Sequence, residues 1–295
     1  MTGVEPTLIT VPVRGGDLAV NRWGPARAGA EAVLAAHGIT GNGVSWGAVA
    51  QRLPDHDLIA PDLRGRGLSR EADGPYGLAR HADDLVAVLD WLRIEEPVVL
   101  AGHSMGAFVA CVAAVRHPSR FSRLVLVDGG VGFPAPEGTD IDATLDAVVG
   151  PAVRRLAMEF ESVSAYRDFF RQHPAFVGLW NDVVRAFVDR DLVGEPPHLR
   201  SACVAEAIRT DGGQVLRDED VLAAAHKLPV PAVLLWAQRG MLNQPQGLYT
   251  AERLAAAGLP ADVRTRLVPD TNHYSILFGD HGSDAVAEAI RQHHT

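Results

Sequence analysis

Residues 97–114 read PVVLAGHSMGAFVACVAA, an apolar run interrupted by a serine that stands between two glycines. The part before Gly102 predicts a buried strand, and the part after Gly106 predicts an apolar helix. A tight turn between such a strand and helix strains the serine backbone and exposes Oγ, and the two glycines remove Cβ atoms that would clash there. Ser104 is therefore the first candidate for a nucleophile.

Strands and helices alternate along most of the chain. A glycine pair at 15–16 predicts an opening hairpin of the strands 7–13 and 17–23. Further patterns predict strands at 31–36, 57–61, 98–101, 121–127, 230–237 and 262–268, and helices at 44–53, 78–92, 105–116, 246–257 and 283–292. Because parallel strands need helical crossovers, this order predicts an α/β fold with a mostly parallel sheet.

The alternation stops between residues 132 and 227. This stretch has scattered prolines and no convincing buried strand, and its helical patterns cover 145–149, 153–161, 165–172 and 183–188. A long insertion that leaves from the carboxyl end of a strand explains the interruption. We therefore predict a core domain of residues 1–131 and 228–295, and an inserted helical lid (cap) of residues 132–227.

Composition and charge restrict the class of protein. The 295 residues are 47% hydrophobic and 21% charged, which is typical of a globular chain and favours one large domain with a lid. The formal net charge is −9, and no Lys/Arg cluster exceeds a pair. Neither nucleic acid nor an anionic membrane is therefore expected as the main partner.

The N-terminal residues and the cysteines predict a compartment. Residues 1–12 lack the basic and apolar segments of a leader, and no stretch approaches the roughly 20 apolar residues of a spanning helix. The two cysteines, Cys111 and Cys203, need no disulfide. We expect a cytoplasmic protein.

A serine hydroxyl needs a general base within hydrogen-bond reach, and usually an acid that orients the base. His103 is excluded, because consecutive side chains at the end of a strand point to opposite faces. His273 follows the last predicted strand, and the carboxyl ends of parallel strands meet at one edge of a sheet. We predict His273 as the base, against the alternative of a capping or surface histidine.

Two carboxylates are candidates for the acid. Asp128 ends the strand after the serine's helix, so a crossover places it beside the serine strand, about 5 Å away in the sheet direction. Asp270 would have to fold back on its own loop to reach His273, and residues 236–243 contain no carboxylate. We predict Asp128, although Asp-Gly-Gly is also a good turn sequence.

Acyl transfer needs backbone N–H groups aimed at the oxyanion of the tetrahedral intermediate. Met105 follows the serine at the start of a helix, whose dipole favours negative charge. A second loop, His-Gly-Ile-Thr-Gly at 37–41, leaves a predicted strand with glycines that allow close backbone approach. We predict the N–H groups of Met105 and Ile39 as donors, with Thr40 in reserve, and Gly38 and Thr40 at the substrate pocket.

Rival motifs give little support to a cofactor. Residues 65–70 begin like a dinucleotide fingerprint, but an arginine stands where the third glycine belongs and no helix begins there. The chain has no Walker-type lysine loop, no His-Glu-x-x-His and no Cys-x-x-Cys motif. We expect no metal and no cofactor.

Four motifs together, at residues 37–41, 60–69, 102–106 and 272–273, resemble the α/β-hydrolase family. They occur in the family's order and, with the alternating core, cover nearly the whole chain except the lid. The resemblance implies an eight-stranded, mostly parallel sheet with helices on both faces. It also implies that residues 62–69 form a structural loop near the site.

The sequence departs from the commoner family pattern at the acid. In most members the acid follows the strand after the lid, which here falls near Gly240, with Asn243 as the nearest polar residue. The position of Asp128 resembles instead a minority arrangement, in which the acid follows the strand one earlier, as in some haloalkane dehalogenases and in zearalenone-type lactonases. Dehalogenases and epoxide hydrolases themselves differ in chemistry, because they use aspartate where this chain has Ser104.

The resemblance implies a serine hydrolase without fixing its substrate. The aromatic lid favours a small hydrophobic ester or lactone, with carbon–carbon bond cleavage of a β-diketone-like compound and a non-catalytic receptor as alternatives. Most apolar lid residues are expected to pack within the lid, and Trp180 and Met158 are the candidates for substrate contact. The oligomeric state stays open, a homodimer included.

Overall fold

Eight strands of the described chain form one sheet in the order β1-β2-β4-β3-β5-β6-β9-β10. The structure, a computed structural model, describes residues 5–24, 30–133, 138, 140, 143–144 and 154–292. The strands of this sheet are β1 (Thr7–Val13), β2 (Gly16–Trp23), β3 (Ala32–Ala36), β4 (Asp57–Pro61), β5 (Val98–His103), β6 (Phe121–Val127), β9 (Ala232–Arg239) and β10 (Val263–Asn272). A separate pair consists of β7 (Leu192–Val193) and β8 (Arg200–Ser201).

The sheet is mostly parallel, as predicted. β1 and β2 form the antiparallel hairpin, and β2 is also antiparallel to β4. The other neighbours in the sheet, from β4 to β10, pair in parallel. The carboxyl ends of the parallel strands therefore meet at one edge, where the candidate residues lie.

Helices cover both faces of this sheet. Their bounds are α1 (Gly47–Ala50), α2 (Leu78–Trp91), α3 (Met105–Arg116), α4 (Val163–Arg171), α5 (Asp182–Arg190), α6 (Ala205–Arg217), α7 (Glu219–Ala224), α8 (Ala251–Ala256), α9 (Ser275–Phe278) and α10 (Asp280–Arg291). In β3, Leu34 joins the core under α2 and α3, whereas Val33 and Ala35 join the core under α1 and α10. Alternate side chains of one strand thus supply two separate cores.

Two predicted helices are shorter than their sequence patterns. The pattern at 44–53 splits into a 3₁₀ turn at Gly43–Trp46 and the short α1. The pattern at 246–257 becomes a helix only after Thr250, whose hydroxyl accepts from the N–H of Arg253 at 3.2 Å. The residues before this cap are held at the sheet edge, since the Tyr249 hydroxyl donates to the Val131 carbonyl at 2.9 Å.

The segment between β6 and β9 adds no strand to the main sheet within its described residues. The predicted helices at 165–172 and 183–188 correspond to α4 and α5. Of the helix predicted at 153–161, residues 154–156 are helical, whereas Phe160 forms an isolated antiparallel bridge with Leu199 instead. The helix predicted at 145–149 lies outside the described residues, and the lid boundaries 132–227 stay a prediction.

A buried ionic cluster holds this inserted segment together. The guanidinium of Arg155 donates to the carboxylate of Asp191 and to the hydroxyl of Tyr166, and all three side chains are buried. Ser201 at β8 also donates to Asp191, at 2.9 Å. Because a buried charge without a partner is costly, the cluster fixes Arg155 against α4 and β8.

Candidate active site

The turn at Ser104 has the strained geometry that the sequence predicts. Ser104 lies between β5 and α3 with φ +55° and ψ −123°, a backbone conformation that residues with a Cβ rarely adopt. A Cβ at Gly102 would collide with the carbonyl oxygen of Gly106, and a Cβ at Gly106 would collide with the carbonyl oxygen of Ala36. Both glycines are thus required by the close packing of β3, β5 and α3 around the serine.

His273 and Asp128 are in direct contact. The Nδ1–H of His273 donates to Oδ2 of Asp128 over 2.6 Å, and both side chains are buried. Asp128 follows β6, the neighbour of the serine strand, and its Oδ1 accepts from the N–H of Ala237 at 3.0 Å. Nε2 is the ring nitrogen of His273 that Asp128 does not engage, and His273 and Ser104 line the same cavity.

The other two positions considered for the acid lie elsewhere. The side chain of Asp270 is 89% exposed and faces Arg239. The amide oxygen of Asn243 accepts from Arg239 Nε at 2.8 Å and from Asn272 Nδ2 at 3.2 Å. Of the three, the structure brings Asp128 to the imidazole of His273.

His103 has a supporting contact that sequence reasoning missed. Its Nε2–H donates to the backbone carbonyl of His273 at 2.8 Å, so the serine strand holds the loop that carries His273. Burial, together with the nearby His273, lowers the pKa of His103 to about 3. His103 is therefore a neutral donor at ordinary pH.

The loop after β3 lies against the serine. A Cβ at Gly38 would stand 3.2 Å from Cβ of Ser104, a tight contact, so a glycine eases this approach. His37 Nδ1–H donates to the Gly38 carbonyl at 2.7 Å, and its Nε2 accepts from the N–H of Leu63 at 2.8 Å. Burial lowers the pKa of His37 to about 3, which keeps the ring neutral in this bridging role.

Both predicted oxyanion donors border the site. Ile39 lines the cavities on either side of Ser104. Met105 is the first residue of α3, where a backbone N–H has no acceptor within the helix. The carbonyl of Ile39 accepts from Nε of Arg66 at 3.0 Å, which fixes the orientation of the peptide unit between Ile39 and Thr40, next to the donor N–H of Ile39.

Arg66 belongs to a buried charge cluster that the sequence did not reveal. Its Nη1 lies 2.6 Å from Oδ2 of Asp211 on α6, and His81 Nε2 lies 2.8 Å from the same oxygen. Burial alone would raise the pKa of Asp211, but Arg66 and His81 outweigh it and hold that pKa below its ordinary value. The inserted segment is thereby tied to the loop that carries Ile39.

Two cavities of about 260 Å³ each meet at Ser104. Both are lined by Ser104, Ile39, Met241 and Leu248. The cavity on the side of His273, called here the histidine-side cavity, is also lined by Gly38, Thr40, His173, Phe187, Tyr274 and Phe278. The cavity along α3, called here the helix-side cavity, is also lined by Met105, Phe108, Val131, Phe133, Val215 and Arg253.

The predicted pocket residues have mixed outcomes. Gly38 and Thr40 line the histidine-side cavity. Met158 and Trp180 line neither cavity: Met158 is 38% exposed, and the guanidinium of Arg171 covers the Trp180 ring at 4.3 Å. Met241 was missed, because nothing in its loop sequence signals where the loop folds.

Two kinds of feature are absent from the described ranges. No group of three or more His, Cys, Asp or Glu side chains there is arranged to hold a metal ion. No described helix combines the length and the apolar character needed to cross a bilayer.

Comparisons with known proteins concern the family and the fold. The family model described as the alpha/beta hydrolase fold matches residues 31–280. Lipase LipV of Mycobacterium tuberculosis is 38% identical over 133 residues, which are 45% of this chain and 48% of that protein. A 2-hydroxymuconate semialdehyde hydrolase of a Pseudomonas species is 47% identical over 85 residues, 28% of this chain and 30% of that protein. The chain thus spans about half or less of these relatives' length.

A solved structure extends the likeness to the whole fold. E-2-(acetamidomethylene)succinate hydrolase superposes with a TM-score of 0.77 and covers 97% of both chains. The two sequences are 22% identical, so this likeness concerns the fold.

Proposed function

We propose, since this chain belongs to the α/β-hydrolase family, that it is a serine hydrolase of a carboxylic ester or lactone with a hydrophobic body. The observation that carries the proposal is the 2.6 Å contact between Asp128 and His273, whose ring lines the same cavity as the half-buried Ser104. A serine, an imidazole and a buried carboxylate are the groups that an acyl-enzyme mechanism requires.

In the first half of the reaction, Oγ of Ser104 attacks the substrate carbonyl while Nε2 of His273 takes the hydroxyl proton. Asp128 holds the ring with Nδ1 protonated and stabilises the imidazolium that forms. The N–H groups of Ile39 and Met105 donate to the oxyanion of the tetrahedral intermediate. Nε2–H then gives its proton to the leaving oxygen as the carbon–oxygen bond breaks.

In the second half, a water molecule replaces the leaving group. His273 takes one proton of the water as its oxygen attacks the acyl carbon, and returns that proton to Oγ of Ser104 as the acid product leaves. The same oxyanion donors serve both halves, so removing either backbone donor slows both steps.

The inserted segment acts in this proposal as a lid. His173 and Phe187 of that segment line the histidine-side cavity, and Val215 on α6 lines the helix-side cavity. A substrate at Ser104 would therefore lie between the sheet edge and the segment, where bulk water is excluded.

Carbon–carbon bond hydrolysis is the second candidate. Its support is the 47% identity over 85 residues with a protein named 2-hydroxymuconate semialdehyde hydrolase. The same serine, histidine and aspartate serve either reaction, so the triad does not separate them. A panel of esters, lactones and vinylogous diketones separates them by relative kcat/KM.

The experiment that tests the proposal compares single variants on p-nitrophenyl esters of hydrophobic acids. Ser104→Ala is expected to abolish turnover, and Asp128→Asn to lower kcat by about 10³- to 10⁴-fold, because the imidazole loses its orienting acceptor. Asn243→Ala is the matched control at the place where most family members carry the acid, and it is expected to keep kcat within about threefold. Full activity in Ser104→Ala, or equal losses in Asp128→Asn and Asn243→Ala, would contradict the proposal.

A further inference from the structure

We propose that the helix-side cavity binds an acyl group that ends in a carboxylate, with Arg253 as the residue that recognises this charge. The inference rests on the proposed serine hydrolase function and names the substrate class of the same site. It assigns one part of the substrate to each of the two cavities that meet at Ser104.

The position of His273 decides which part enters which cavity. The leaving oxygen receives its proton from His273, so the leaving group has to lie on the side that His273 lines. His273 lines the histidine-side cavity and is not among the residues of the helix-side cavity. The acyl group therefore extends into the helix-side cavity, which begins at Met105 beside the oxyanion.

The walls of the helix-side cavity are apolar over most of their extent. Phe108 on α3, Val131 after β6 and Val215 on α6 surround the space next to Ser104. A hydrocarbon chain is the part of a substrate that gains most from such walls, because burying apolar surface is favourable. The first carbons of the acyl group are thus expected to be methylenes.

Arg253 is the exception to this apolar lining. Asp128 and Arg253 are the charged side chains among the residues that line the cavity. Asp128 is already engaged by His273 and by the N–H of Ala237. Arg253 thus supplies the positive charge that the cavity offers to a ligand.

The partners of Arg253 leave most of its hydrogen-bonding groups for a ligand. The guanidinium lies over the Phe133 ring at 4.0 Å, and Nη1 donates to the Leu248 carbonyl at 3.3 Å. Within the described ranges it has no ion pair with a carboxylate. A guanidinium carries five N–H donors in a planar fork that matches a carboxylate. The ring of Phe133 holds this plane at the cavity wall.

The test compares two esters of equal shape and different charge. The p-nitrophenyl monoester of adipic acid carries the distal carboxylate, and p-nitrophenyl 6-methylheptanoate replaces that carboxylate by an isopropyl group. Arg253 is exposed to solvent at the cavity wall, so Arg253→Gln is expected to lower kcat/KM for the adipate ester by about fivefold, the range of an ion pair in contact with water. It is expected to change kcat/KM for the neutral ester by less than about threefold, and Arg253→Lys is expected to recover part of the loss.

The matched control is Arg264→Ala, which removes an exposed arginine of β10 that lines neither cavity. It is expected to leave the ratio of the two kcat/KM values unchanged. The carboxylate proposal alone would be overturned if Arg253→Gln left the ratio of the two kcat/KM values unchanged. It would also be overturned if Arg264→Ala changed that ratio as much as Arg253→Gln does. Wild-type protein that hydrolyses neither ester would overturn the proposed function itself.

Discussion

Ser104 and Asp128 both adopt a left-handed backbone conformation, with φ of +55° and +46°. Each follows directly on a buried strand, and the two strands are neighbours in the sheet. Such a conformation costs an L-residue about 1–3 kcal/mol and persists only where the surrounding structure enforces it. We infer that this strain aims both side chains at the sheet edge, where His273 meets Asp128.

The buried histidines predict how stability depends on pH. An unfolded histidine takes up a proton near pH 6.5, whereas burial lowers the pKa of folded His103 to about 3. The unfolded state therefore binds more protons between these values, so the free energy of unfolding falls as the pH drops below about 6.5. At pH 5 the expected loss through His103 is about 2 kcal/mol relative to pH 7.5.

Urea unfolding of the wild type and of His103→Gln, at pH 7.5 and at pH 5, measures this loss. The glutamine amide keeps a donor for the His273 carbonyl but takes up no proton, so the variant is expected to lose about 2 kcal/mol less than the wild type over this range. Identical losses in both proteins would contradict a neutral, buried His103.

Among single residues, the sequence predicts those that belong to motifs. Ser104 and His273 follow from their places after predicted strands, and Asp128 follows from the expected strand order. The hydrogen bond from His103 to the His273 carbonyl joins residues 170 positions apart, and no local pattern reports it. Trp180 lines neither cavity and lies under the guanidinium of Arg171, a contact that hydrophobic periodicity does not report.

Among the elements, buried strands were predicted best, because a short apolar run leaves few alternatives. Their ends depend on pairing instead: β5 runs to His103 because that residue pairs with Val127 of β6. The inserted segment was predicted less well. There, the helical pattern over 153–161 gives a helix at 154–156, and Phe160 pairs with Leu199 instead, since the bridge satisfies backbone groups of both residues.

The helix α6 is coupled to the oxyanion loop through two ion-paired residues. Asp211 on α6 holds Arg66, whose Nε donates to the carbonyl of Ile39. In Asp211→Asn the ion pair is lost, and the peptide unit between Ile39 and Thr40, next to the donor N–H of Ile39, is expected to be held less firmly. We expect kcat per active site to fall about 10-fold, equivalent to about 1.4 kcal/mol of transition-state stabilisation, with KM within about threefold.

Active-site titration separates this effect from a loss of folded protein, since kcat is then counted per reactive serine. Asp280→Asn is the matched control: it also removes a carboxylate paired with an arginine, Arg52, but its side chain is 98% exposed. It is expected to leave kcat unchanged. A fall in the number of active sites with normal kcat in Asp211→Asn would contradict a positioning role.

For the molecule as a whole, the site is assembled from distant parts of the chain. Ile39, Ser104 and Met241 line both cavities, and they come from loops after three different strands. The order of strands and helices was enough to predict the mostly parallel sheet, because a helix between two strands connects them as parallel neighbours and so limits the topology. It was not enough to predict the cavity walls, which depend on how the inserted segment packs over the sheet edge.

The most direct measurement of the central claim is labelling with a fluorophosphonate, followed by peptide mapping. The account predicts that the wild type gains one label within minutes, that the label is on Ser104, and that Ser104→Ala and heat-denatured wild type stay unlabelled. His273→Ala is expected to react at least about 100-fold more slowly, because the hydroxyl then lacks its general base. Labelling of Ser104→Ala at the wild-type rate, or no labelling of folded wild type, would contradict an activated serine at this position.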